Sequence, residues 1–426
     1  MKHYRLSNGI PVIIDRMSGT NVVTALILFK VGSRHENPKN NGISHFIEHL
    51  FFKGTEKRRT TLEISRELDG VGADFNAFTS KDYTGYYVKV ASQHTPLAID
   101  ILEDILFHPI FDPEEIDRER GVIVEEINMY EDKPMVTAEE LAEMSIFGKN
   151  HPLGYRIAGP RKNIRSISRE EIIRYRDEYY HTNNMVVILA GNVPADAERI
   201  LKKQFARAPK PRVTMSGYKK FSYTQSSSRV TVETKPTAQS HLALSFPGPT
   251  YTQKDSAAYQ VLSTILGASM SSRLFIQVRE RQGLCYYIYS GISPYEDMGV
   301  FTIQAGFDTK RINQAIIGIV TELKHIRDAI VPITEHELRN AKEYIAGKMS
   351  LRLEDSEHVA SWWGRGALFV KECLSPEEAV KRIRKVTIAD LYRVAKKTFN
   401  PKHANLVVVG PYKKTQAASF KKLIHF

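Results

Sequence analysis

The sequence predicts an α+β protein made of two similar domains, each a mainly antiparallel sheet packed with helices, joined by a linker. Three observations predict it. Short β-branched runs alternate with longer helical patterns in both halves of the chain. Apolar periodicity stops over APKPRVTMSGYKKFSYTQSSS, where Pro, Gly, Ser and Lys crowd, and restarts beyond it. The halves also carry matching segments. Ser168-Arg-Glu-Glu opens a helix leading through Tyr180 into MVVILAG, and Thr387-Ile-Ala-Asp opens one leading through Phe399 into NLVVVG. Each begins on an N-cap hydroxyl followed three residues later by an acid, and the cap-to-glycine separations are equal. At 426 residues the chain also exceeds what one hydrophobic core usually serves. The expected division is a domain over 1–208, a linker over 209–228 and a second domain over 229–426.

The elements follow in order. MKHYRLSNGIPVIIDRM reads as a strand pair turning at Ser7-Asn8-Gly9, and not as a signal peptide, because it has no sustained apolar segment. Strands are expected at Ile10–Ile14 and Val22–Val31, and helices at Ile43–Phe52 and Leu62–Leu68. Strand-like runs Ala73–Phe78 and Tyr83–Val90 come next. Helices are expected at Pro96–Phe107, Pro113–Tyr130, Ala138–Phe147 and Glu170–Tyr180, with Pro113 placed where its missing N–H costs nothing. A buried strand Met185–Ala190 and a helix Ala195–Ala206 complete the first half. The second half offers strands near Val230–Thr234 and His241–Phe246, helices from Ser256 and Ser271, and strands Tyr286–Ile292 and Val300–Gly306. Long helices and a final strand, Asn405–Val409, close the chain.

Composition excludes several classes. No apolar run approaches the length of a bilayer, so no membrane partner is expected. Cys285 and Cys373 are isolated, which argues against a disulfide framework and a thiolate metal site, and fits a cytoplasmic protein. The formal charge of +12 comes from scattered Lys and Arg with no accompanying reading element, so a solvated basic surface is expected and no nucleic acid.

The chemistry concentrates in GISHFIEHLFF. His45-x-x-Glu48-His49 inverts the more familiar HExxH order. On a helix His45 and His49 share a face, so both imidazoles reach one ion, and Glu48 lies beside them for work on a water molecule. A catalytic zinc usually takes three protein ligands and keeps one position open. No third histidine lies nearby, which leaves the carboxylates of ERGVIVEEI. Glu119 and Glu126 are about two turns apart and share a face, with Val122 and Ile123 expected on the same side. Glu125 is turned about 100° away. Glu126 is therefore expected as the third ligand and Glu119 as the carboxylate that orients a ligand.

The motif HFIEHLFFKGT with the later ERGVIVEE resembles the pitrilysin family of inverzincin metallopeptidases, and the likeness runs through essentially the whole chain. It is nearest the half-length branch that includes the catalytic subunit of mitochondrial processing peptidase. The resemblance implies one zinc per chain on His45, His49 and Glu126, with Glu48 as general base. It implies hydrolysis of extended peptides. Gly72-Ala-Asp-Phe-Asn-Ala-Phe-Thr-Ser resembles the edge strand on which the family lays its substrate, giving Asn76, Ala77 and Phe78 as binding positions. SSRLFIQVRERQGLCYYIYS resembles the stretch that offers an arginine and a tyrosine to the peptide, here Arg279 and Tyr286. Cys285 stands where Gly or Ala is more usual, and packing is expected of it. Full-length members carry two such two-domain units, which implies a homodimer for a chain of this length. The alternative is a non-catalytic homologue of the same fold, a class marked by loss of a ligand, the base or the Arg/Tyr pair.

Overall fold

Runs rich in Val, Ile and Leu become the central strands of two sheets. In the computed structural model, which describes residues 1–211 and 213–426, the first sheet comprises β1 (Lys2–Arg5), β2 (Pro11–Arg16), β3 (Val22–Phe29), β4 (Asp74–Thr79), β5 (Thr84–Ala91) and β6 (Met185–Gly191). Their order is β1-β2-β6-β3-β5-β4. The second comprises β7 (Arg229–Thr234), β8 (Gln239–Gly248), β9 (Cys285–Ser293), β10 (Gly299–Asp308) and β11 (Asn405–Gly410), in the order β7-β11-β8-β10-β9.

With β1 set aside, the two orders correspond place for place. In each, the last strand in the chain inserts parallel to the first, β6 on β2 and β11 on β7, and the other pairs are antiparallel. The paired cap-to-strand segments therefore mark a duplicated fold. Both capping boxes form, Ser168 with Glu171 and Thr387 with Asp390.

The chain divides into two compact units, and neither is contiguous. Unit 1 is 1–127, 155–219 and 350–373, and unit 2 is 128–154, 220–349 and 374–426. Two helices thus leave the half in which the sequence places them, departing from the expected 1–208 and 229–426. The reason lies in strands that are apolar on both faces. In unit 1, Ala25, Ile27, Phe29, Val187 and Leu189 face the main core, with Phe46, Leu102 and Tyr180. Leu26, Leu28, Val186 and Ile188 point the other way and are covered by Val359, Ala360 and Trp363 of the helix Ser356–Phe369. Trp363 also donates its indole N–H to Asp15 at 2.6 Å. In unit 2, Leu406 and Val408 join the main core, while Val407, Val409 and Ala243 meet Ala138 and Ala142 of the helix Pro134–Phe147. Each sheet takes the cover for its second face from the other half of the sequence.

Other differences are local. The described residues of 209–228 form no helix or strand; position 212 of that segment lies outside them. The helix expected from Ser271 is a π-helix over Phe275–Glu280, a second π segment covers Thr264–Ala268, and a helix Ala417–Leu423 follows β11. No helix among the described residues is long and apolar enough to cross a membrane.

Candidate metal centre

The HxxEH segment forms the helix Ile43–Leu50, which buries Ile43, Phe46, Ile47 and Leu50 in the core of unit 1. Its start is fixed by Glu36, a buried carboxylate that accepts from Asn41 Nδ2 at 2.8 Å, the Gly42 N–H at 2.8 Å and the Ser44 N–H at 2.9 Å. These bonds satisfy N–H groups that a helix start leaves without partners, and put negative charge at the positive end of the helix. Burial raises the Glu36 pKa, and the hydrogen bonds pull it back. Gly42 has φ 103°, and a Cβ there would stand 2.8 Å from the Ala158 carbonyl oxygen, so only glycine enters the helix at this angle.

The opposite face presents the histidines. Nε2 of His45 and Nε2 of His49 are 3.3 Å apart. Oε2 of Glu126, on the helix Pro113–Glu131, lies 3.5 Å from the first and 3.3 Å from the second. A tetrahedral zinc with bonds of about 2.1 Å needs donor atoms about 3.4 Å apart, so the triangle and its two-imidazole, one-carboxylate composition fit that ion. Among the described residues this is the one group of three such side chains converging closely enough to hold a metal.

Around the triangle the surroundings differ from ligand to ligand. Nδ1 of His49 lies 2.8 Å from Oε1 of Glu119, and Oε2 of Glu119 receives Lys53 Nζ at 2.7 Å. Nδ1 of His45 is buried without a hydrogen-bond partner among the described residues. Burial, then the charge of His49, lowers the His45 pKa to about 4, so this imidazole is neutral and offers its lone pair. Burial pulls His49 down as well, but its bonds to Glu119 and Glu126 outweigh that and lift its pKa to about 9. A metal entering here displaces that proton. Glu119 is held below the ordinary glutamate value: burial raises its pKa, and His49 and Lys53 more than offset that.

The helical phase separates the acids as expected: Glu119 is buried, Glu126 half-buried and Glu125 exposed. Val122 is a correction. It is 49% exposed, whereas Ile123 is fully buried. The buried face centres on Ile116, Ile123 and Ile127, and Val122 lies about 100° from Ile123 on the solvent flank.

Glu48 lies outside the triangle and accepts a hydrogen bond from the Thr79 hydroxyl through Oε2. Burial raises its pKa, while Thr79 and His49 pull it down. Thr79 is the last residue of β4, the edge strand of the first sheet, so the candidate base is held by the strand that carries Asn76, Ala77 and Phe78. The Ala77 N–H is bonded to Oδ1 of Asn76 at 2.8 Å. The Phe78 ring packs against Tyr83 and over Gly85.

Arg279 and Tyr286 lie in unit 2. Tyr286 is 63% exposed on β9, the edge strand corresponding to β4. The Arg279 guanidinium stacks over Phe275 at 4.6 Å and stands 4.0 Å from Glu280. The neighbouring Tyr287 is bonded to Nδ1 of His241 at 2.9 Å. Burial pushes the Cys285 thiol up to about 11, as suits a packing residue.

Sequence reasoning missed Glu36, Lys53 and Thr79. Lys53 carried a signal, because it lies four residues beyond His49 within HFIEHLFFKGT. Thr79 directly follows the three positions expected to meet substrate, but nothing local shows that β4 ends beside Glu48.

Residues 12–161 match the family model described as Insulinase (Peptidase family M16), and residues 166–345 match the Peptidase M16 inactive domain. The chain belongs to peptidase family M16. This M16 chain is 35% identical to an uncharacterized zinc protease, YmxG, of Bacillus subtilis, over 96% of its length and 98% of the relative's. It is 34% identical to an uncharacterized zinc protease of Streptomyces coelicolor, over 97% of this chain and 90% of that one. Two solved structures share the M16 fold. A protease from Helicobacter pylori superposes with a TM-score of 0.89 at 24% identity, covering 96% of this chain and 99% of that one. A peptidase M16 inactive domain from Pseudomonas fluorescens gives 0.87 at 19% identity, covering 97% and 98%.

Proposed function

We propose that this chain is a zinc-dependent endopeptidase that hydrolyses extended or unfolded peptides. One observation carries the reading: three donor atoms spaced for a tetrahedral ion lie beside a carboxylate that is tethered to an open sheet edge. The names of the relatives, zinc proteases, agree with it.

Zinc, when bound, supplies Lewis acidity that polarises an amide carbonyl and acidifies water. His45, His49 and Glu126 would hold it. The chain's own residues do the rest. The β4 edge pairs with the backbone of an extended peptide, giving affinity with modest sequence selectivity. Asn76 and Ala77 offer polar groups there. Glu48, oriented by Thr79, removes a proton from the attacking water and returns it to the departing amine. Arg279 and Tyr286 of a second copy would present donors to the peptide near the carbonyl under attack. The cytoplasm is the compartment we propose, consistent with two cysteines that form no disulfide among the described residues.

Purified protein is expected to carry one zinc per chain and to cleave internal bonds in a library of unstructured peptides. A chelator should abolish cleavage, and added zinc should restore it. Cleavage that survives complete removal of metal would overturn the reading.

The chain is further proposed to work as a homodimer in which a second copy supplies Arg279 and Tyr286. Mixing a Glu48→Gln chain with an Arg279→Ala, Tyr286→Ala chain should then restore activity that neither has alone. The restored site would join intact metal chemistry from the second chain to intact peptide contacts from the first. Subunit exchange is followed by fluorescence transfer. No recovery despite proven exchange would reject the shared site.

A further inference from the structure

Lys53 follows the metal helix by one turn. Its ammonium stands 2.7 Å from one oxygen of Glu119, and His49 stands 2.8 Å from the other. One carboxylate is thus gripped at both oxygens by groups four residues apart in the chain. That carboxylate is 3% exposed, so water does not substitute freely for either partner. It also sits on the same helix as Glu126, about two turns earlier.

We propose that Lys53 is a positioning residue for the metal centre. Together with His49 it clamps Glu119, and the clamp fixes the helix Pro113–Glu131 against the HxxEH helix in the register that brings Glu126 to the ion. The inference rests on the zinc reading above. A carboxylate held at one oxygen turns about its Cγ–Cδ bond, whereas one held at both has a fixed plane, and the His49 ring is fixed with it. The other imidazole has no such support, because Nδ1 of His45 makes no hydrogen bond among the described residues. Orientation of the triad therefore depends on the His49–Glu119 contact, and that contact depends on Lys53. Removing Lys53 would leave a buried carboxylate oxygen without its partner, a costly state that the site relieves by moving Glu119.

A second effect opposes this one. Lys53 carries positive charge toward a cation site, so deleting it also reduces repulsion of the metal. Outer partners of metal ligands are typically worth ten- to hundredfold in affinity, and the partly exposed ammonium is screened by solvent, so the clamp should win.

The test is the zinc Kd, measured by competition with a chromophoric chelator, with no reference to activity. Lys53→Met should bind zinc about tenfold more weakly than the parent, and Lys53→Arg, which keeps charge and reach, should recover most of the loss. The doubly substituted Lys53→Met, Glu119→Gln chain should bind no more weakly than Glu119→Gln alone, because both changes open one clamp. Unchanged or tighter binding by Lys53→Met, or full additivity with Glu119→Gln, would overturn the role of Lys53 while leaving the metal site intact. Failure of the parent chain to bind zinc would instead defeat the zinc reading, and the clamp with it.

Discussion

Glu48→Gln should keep about one zinc per chain and lose peptide hydrolysis by about a hundredfold to ten-thousandfold, the range a general base contributes. The substitution is close to isosteric, and Glu48 is not among the three converging donors, so the triangle of His45, His49 and Glu126 stays as it is. What disappears is a carboxylate able to take a proton. Thr79 can still donate to the amide oxygen of a glutamine, so the side chain keeps its place. Metal content by atomic spectroscopy and initial cleavage rates, read on one preparation, decide the matter. Near-parental turnover would sink the role given to Glu48, and loss of zinc would recast it as part of the metal's support.

The second large effect separates two adjacent acids. Glu126→Gln should weaken zinc binding by more than about a hundredfold, beyond the usual cost of an outer partner, whereas Glu125→Gln should leave it unchanged. The half-buried Glu126 lies within 3.5 Å of both imidazoles, and the exposed Glu125 projects from another side of the helix. Dialysis against a zinc buffer followed by metal analysis compares the variants directly. Zinc lost from Glu125→Gln and kept by Glu126→Gln would reverse the assignment.

That choice was legible because a helix converts residue spacing into direction. His45 with His49, and Glu119 with Glu126, share faces by number alone. Val122 lies off the buried side because the width and centre of that face depend on what the helix packs against. The duplication was legible in the same local way, through two capping boxes leading into two apolar strands that end in glycine. The identical strand orders behind it were not, since pairing joins residues far apart in sequence.

Local sequence was thus enough for the periodic elements, the duplicated plan and the direction of each candidate ligand along its own helix. All of these follow from backbone geometry acting over a few residues. Tertiary structure decided which helices cover which sheet. Ser356–Phe369 joins unit 1 and Pro134–Phe147 joins unit 2, because strands apolar on both faces accept any helix with a complementary stripe, wherever in the chain it arises. It also decided that Thr79 meets Glu48, that Lys53 meets Glu119 and that β4 and β9 are edges. Each of these is a contact between separate elements, fixed by the packing of the whole core and carried by no local period.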